Sequence, residues 1–197
     1  MRENMDFNII KFYGEDQTVF SLEEIKQNVE LSNLKFQSWI DLQVTNRNFK
    51  KITEKLYAIN NYNIAELCNK LSFPSYISLG YVLRKEGINY QYDTKVTAIS
   101  ESNKCLTIDG NSFEYREIDE RILWSPQGVC YNNNMSIATK ERAVLDMLYL
   151  NDNFYLDVPY FLDFNLIYKI LPIYKSNRLE QQIKKLEERI QDELRTK

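Results

Sequence analysis

The sequence predicts an α+β protein: an N-terminal winged helix-turn-helix followed by a mixed α/β C-terminal domain with a long C-terminal helix. Three observations lead there. Two short helical stretches joined by a tight turn occupy 21–46, and a two-strand pattern follows at 49–59. Beyond Gly87 the pattern turns to β, with an Asp-Gly turn at 109–110. Helical spacing returns at 139–151 and again in the tail, 164–194.

The elements follow in order. Residues 5–13, MDFNIIKFY, read as a first short helix. In the next segment Ser21 stands three residues before Glu24, a capping box, and Phe20 with Ile25 forms a hydrophobic staple. After the turn at 30–33, Ser32 or Asn33 can cap a second helix. Its Phe36, Trp39, Ile40 and Val44 recur at helical spacing. FKKITEKLYAI, 49–59, then reads as two short strands around Thr53-Glu54, a wing. A domain boundary near Asn60-Asn61 divides a winged helix over 1–60 from a second domain over 61–197.

In the second domain, 62–72 reads as a helix closed by Pro74. A further helix, opened by Ser75 or Ser78, runs to Glu86 with Gly87 as its stop. YQYDTKVTAIS alternates as a strand. KCLTI-DGN-SFEYREI is a hairpin, and ILWSP, GVCY and NNNMSIA add strand-like pieces. Thr139 caps TKERAVLDMLYLN, which is apolar nearly all round and therefore expected to be central. Arg142 and Asp146, four apart on it, read as an ion pair satisfied within a core. In the tail, Leu179, Ile183, Leu186 and Ile190 give about two heptads. That is an amphipathic helix lying on the body, with a homodimer through this helix as the alternative.

Composition excludes several chemistries. The chain has no histidine, so His-based triads and His metal sites are absent. Its five glycines form neither GxGxxG nor GxxxxGK[ST], and no GxSxG occurs. Cys68, Cys105 and Cys130 fit no zinc spacing and are expected to be free and mostly buried. Asp119-Glu120 reads as a solvated strand start, not a metal site. No cofactor and no metal are expected, and the chain reads as a non-enzyme. No apolar run approaches membrane length, and the N-terminal segment carries acids where a signal peptide would be apolar, so the expected location is cytoplasmic.

The net charge of -3 does not advertise nucleic-acid binding, but its distribution does. Residues 1–34 hold seven acidic and three basic residues, whereas 35–55 hold five basic and two acidic ones. A local basic stripe can meet a phosphate backbone. Asn33, Lys35, Gln37, Ser38 and Asn46 are residue types that read base edges or hold phosphates from a helix in the major groove. Arg47, Lys50, Lys51 and Lys55 complete the candidate interface, with the wing lysines on phosphates. The alternative is a winged helix that contacts protein and no longer binds DNA.

Two further motifs carry a resemblance. Pro74, Ser75, Tyr76, Ile77, Ser78, Leu83 and Gly87 form the first. Ile137, Ala138, Glu141, Arg142, Ala143, Leu145, Asp146 and Leu150 form the second. Behind a winged helix, this pair resembles the AbiEi-type antitoxins of bacterial abortive-infection toxin–antitoxin systems, over roughly residues 18–152. Lys55 precedes Leu56-Tyr57 where the family has a glycine, and Tyr81-Val82 replaces an Ala-Leu pair. The resemblance implies an antitoxin that binds double-stranded operator DNA, represses its own operon and counters a nucleotidyltransferase-like toxin. Ser75, Tyr76, Ser78, Glu141, Arg142 and Asp146 are the polar candidates it marks in the second domain.

Overall fold

A computed structural model describes residues 17–29, 31–90, 93–132, 134–151 and 154–195. The helix expected at 5–13 lies outside them. Among the described residues there are eight α-helices and two sheets.

The N-terminal part begins with β1 (Val19–Ser21), then α1 (Leu22–Gln27) and α2 (Asn33–Thr45), then β2 (Lys50–Lys51) and β3 (Leu56–Ala58). The capping box is present. Ser21 Oγ accepts from the Glu24 amide at 3.1 Å, and Glu24 Oε2 accepts from the Ser21 amide at 2.5 Å. Ser32 is the N-cap of α2 by position, but its side chain makes no capping bond. The three strands order β1–β3–β2, all antiparallel.

Side-chain alternation in this small sheet builds two cores. Phe20 and Tyr57, paired across β1 and β3, join Ile25, Phe36, Trp39 and Ile40 beneath α1 and α2. Val19, Leu56 and Ala58, on the opposite face, belong to the main core, which runs on through the rest of the chain. The chain therefore crosses Asn60-Asn61 without separating the two parts. Glu66 adds a polar tie. This buried carboxylate on α3 (Ile64–Leu71) accepts from the Thr18 amide at 2.8 Å, the Thr18 hydroxyl at 2.5 Å and the Val19 amide at 3.1 Å.

The chain continues with β4 (Ser75–Ile77), α4 (Leu79–Lys85), β5 (Val96–Ser100), β6 (Lys104–Ile108), β7 (Asn111–Glu117), α5 (Glu120–Leu123), β8 (Val129–Asn132), β9 (Met135–Ala138) and α6 (Lys140–Leu150). α7 (Phe164–Ile170) and α8 (Asn177–Arg195) close the chain. The six strands order β6–β7–β5–β4–β9–β8, with β5–β7 and β4–β9 parallel and the other neighbours antiparallel. β5 is buried at all five positions because it is central and covered on both faces. The Asp-Gly turn joins β6 to β7 with both residues at positive φ, 54° and 76°.

Four expectations change. Ser75 lies in a strand, so only Ser78 precedes the helix, which starts at Leu79. Ile122 and Leu123 are helical and Trp124 is the C-cap: Asp119 caps the start of α5 by accepting from the Arg121 amide at 2.9 Å, which overrides the strand reading. Two of the three thiols are exposed, because Cys105 and Cys130 lie on the edge strands β6 and β8. The tail is two helices separated by a 3-10 turn at Leu171–Tyr174, where Pro172 cannot continue the α-helical hydrogen bonding and Lys175 takes φ 47°. Leu179, Ile183 and Ile190 are buried within this chain, so the heptad stripe of α8 packs on the body instead of facing outward. Among the described residues no helix is long and apolar enough to cross a membrane.

Candidate nucleic-acid interface

α2 turns Phe36, Trp39, Ile40 and Gln43 inward, which leaves its other side in solvent. Asn33, Lys35, Gln37 and Ser38 all lie on that exposed side, and Asn46 and Arg47 follow it, also exposed. Gln37 Nε2 donates to Asp41 Oδ1 at 3.2 Å, and Ser38 Oγ donates to the Leu34 carbonyl at 3.4 Å. Asp41, Leu34 and Leu42 share the exposed side, Leu34 at 86% exposure. Lys35, Arg47 and Lys55 carry no side-chain partner among the described residues. Asn46 is the C-cap of α2, and Gln43 anchors the turn behind it by accepting from Asn48 Nδ2 at 2.8 Å.

The two lysines of β2 separate. Adjacent strand residues face opposite sides of a sheet. Lys50 pairs across Ala58 and Lys51 across Tyr57. Lys51 thus lies on the α1–α2 side, where Glu54 holds it at 2.8 Å. Lys50 lies on the side of the second domain, where Asp109 Oδ1 holds it at 2.5 Å. Asp109 also accepts from the Tyr62 hydroxyl at 2.6 Å. Lys50, and then Tyr62, hold the Asp109 carboxyl below its ordinary value. Burial, followed by the Asp109 acceptor, pushes the Tyr62 phenol up to about 12. Lys50 and Lys51, expected to act alike on phosphates, thus face opposite sides of the sheet, and each ammonium is paired within the chain.

Four of the six polar candidates beyond Asn61, namely Tyr76, Ser78, Arg142 and Asp146, converge on one buried point. Arg142 and Asp146 are fully buried, as are Ser78 and, nearly, Tyr76 and Glu141. Asp146 Oδ1 accepts from Arg142 Nε at 3.2 Å, from the Tyr76 hydroxyl at 3.2 Å and from the Tyr174 hydroxyl at 2.6 Å. Its Oδ2 accepts from the Ser78 hydroxyl at 2.7 Å. Arg142 donates further to Tyr76 Oη at 2.9 Å and to the carbonyls of Ile122 and Gln127, each at 2.7 Å. Its guanidinium stands 5.2 Å and 5.5 Å from the ring centroids of Tyr76 and Tyr174. Burial pushes the Asp146 carboxyl up, against Arg142 and the three hydroxyls, which pull it down. Burial opposes the Arg142 charge most, but Asp146 together with Tyr174 and Tyr76 more than offsets it, so the guanidinium is held above its ordinary value. Each guanidinium nitrogen and each carboxylate oxygen has at least one partner, so the cluster is a structural hub joining β4, α4, α5, α6 and the 3-10 turn.

The hub also revises the start of α4. Ser78 is its N-cap by position, but its hydroxyl is committed to Asp146. Thr97 of β5 supplies the cap instead: its Oγ1 accepts from the Tyr81 amide at 2.9 Å and donates to the Ser78 carbonyl at 2.7 Å. Leu79 is held at φ 56° between these two anchors. Glu141 accepts from the Asp163 amide at 3.2 Å, and Ser75 donates to the Ser72 carbonyl, so both have local structural roles. Sequence reading missed Tyr174, Thr97 and Glu66. Only Glu66 carried a signal, as an acid between the apolar letters of IAELC. Among the described residues no group of three Cys, Asp or Glu side chains gathers as a metal site.

The chain matches no family model and no curated protein.

Proposed function

We propose that residues 17–60 act as a winged helix-turn-helix that binds double-stranded operator DNA, and that the protein is an antitoxin that represses its own transcription and counters a nucleotidyltransferase-like toxin. The observation that supports DNA binding is the arrangement of the N-terminal part. Two helices pack on a sheet of order β1–β3–β2, with the polar side of α2 exposed beside a β2–β3 hairpin. Lys35, Arg47, Lys51 and Lys55 border that side. The antitoxin part rests on the resemblance of the two second-domain motifs, whose Tyr76, Ser78, Arg142 and Asp146 share one hub. Leu34 and Leu42 on the exposed side of α2 favour the second reading, a protein-contact module.

A gel-shift salt series on DNA upstream of the gene separates the two. Lys35→Ala and Lys55→Ala should weaken binding to all sequences alike, each reducing the salt slope by about 0.9. Gln37→Ala should change sequence preference by about 1–3 kcal/mol at one base pair. A wild-type protein without a sequence-selective shift at low salt refutes DNA binding. Equal effects of Gln37→Ala on matched and scrambled DNA remove it as a base reader.

A further inference from the structure

The contact between Lys50 and Asp109 joins the β2–β3 hairpin to the β6–β7 turn, 59 positions away in sequence. Three features make it more than an incidental surface pair. Lys50 faces the second domain because of the strand pleat, so its direction is set by the backbone. Asp109 is presented by a tight turn at φ 54°. Its second oxygen is held by Tyr62, just ahead of α3, and the Tyr62 oxygen accepts in turn from Asn111 Nδ2 at 3.2 Å. The carboxylate is thus fixed from two sides before Lys50 reaches it.

We propose that Asp109, supported by Tyr62, is a positioning residue for the DNA interface, and that Lys50 acts through it and not as a phosphate ligand. This deepens the DNA-binding reading and rests on it. β3 sets the hairpin against α2 through Tyr57, and the Lys50–Asp109 contact ties the outer strand β2 to the six-stranded sheet, so that strand meets DNA already placed. Orientation established before binding reduces the ordering cost at binding. β3 is buried and paired with β1, so the contact acts on the outer strand of the hairpin. β2 is two residues long and exposed, and the Lys51–Glu54 pair lies within the hairpin itself.

The test uses the full chain and a salt series on the same DNA. Asp109→Asn, Tyr62→Phe and Lys50→Ala should each weaken binding roughly two- to tenfold, the effect of leaving about one side chain's worth of ordering of the β2 strand to be completed on binding. The Lys50→Ala/Asp109→Asn double variant should be no weaker than the single ones. The salt slope should stay at the wild-type value in all of them. The exchanged pair, Lys50→Asp with Asp109→Lys, should recover affinity that each single reversal loses. A slope reduced by about 0.9 in Lys50→Ala alone would make Lys50 a phosphate ligand and overturn the proposal. Stronger binding by Asp109→Asn, or failure of the exchanged pair to recover, would also overturn it. If the wild type binds no DNA, the DNA-binding reading falls and this role falls with it. Wild-type binding that Asp109→Asn leaves unchanged removes the positioning role alone.

Discussion

Replacing Arg142 by Met tests the hub most directly. Met fills comparable space but carries no charge and no donors. In the folded protein Asp146 would remain fully buried with three hydroxyl donors and no counter-charge. Breaking a buried ion pair in this way costs about 3–5 kcal/mol. The carbonyls of Ile122 and Gln127 would each lose a donor at 2.7 Å, and a buried orphaned acceptor costs about 1–3 kcal/mol. These contributions overlap, so the expected loss is about 4–7 kcal/mol, against a total stability of about 5–15 kcal/mol for a domain. Urea unfolding at pH 7 measures it. Two companion measurements separate charge from packing. In the variant, burial acts on Asp146 without Arg142 to oppose it, so its folded pKa lies above the unfolded value. Such a group favours folding at low pH, and that support is lost as pH rises through the folded pKa. Lowering pH from 7 toward the ordinary carboxylate range should therefore narrow the gap between Arg142→Met and wild type. The double variant Arg142→Met/Asp146→Leu should regain much of the loss, because it removes the orphaned charge. A single variant within about 1 kcal/mol of wild type would refute the hub as described. So would a gap that does not change with pH, or a double variant no better than the single.

Gly128 sits at φ +72°, and a Cβ there would stand 2.6 Å from Ile170 Cδ1 and 2.9 Å from Arg142 Cβ. Gly128→Ala should cost about 2–5 kcal/mol from left-handed backbone strain and overpacking together, read by the same unfolding assay; a loss under about 1 kcal/mol would contradict the close approach. The three thiols should divide two to one. Cys105 and Cys130 should react quickly with a thiol reagent in the native protein, while Cys68, whose thiol burial pushes up to about 12, should react only on unfolding. Rapid labelling of all three would refute the burial of Cys68.

Local signals were legible where neighbouring letters supply both halves of an interaction. The Ser21–Glu24 box, the Asp109-Gly110 turn and the Thr139 cap, which accepts from the Arg142 amide at 3.2 Å, needed only nearby residues. Gly87 ended α4 for the same reason. The Gly87 amide donates to the Arg84 carbonyl at 3.0 Å, and the Ile88 amide to the Leu83 carbonyl at 2.8 Å. The inward face of α2 followed from helical spacing, and the burial of Arg142 with Asp146 followed from an apolar helix carrying charges four apart. ILW misled because a strand-like triplet gave no weight to the capping acid before it.

What the sequence determined by itself was the set of elements whose stabilising contacts lie within about four residues: most helices, their caps and stops, and the hairpin turn. It also determined which faces are apolar. Tertiary structure alone decided which polar side chains those elements bring together. Ser78 looked like a cap until Asp146, 68 positions later, took its hydroxyl and Thr97 took over the amide. Lys50 and Lys51 looked equivalent until pairing with β3 turned one toward Asp109 and the other toward the α1–α2 side. A hydrogen bond depends on distance in space, and local sequence patterns cannot express partners tens of residues apart.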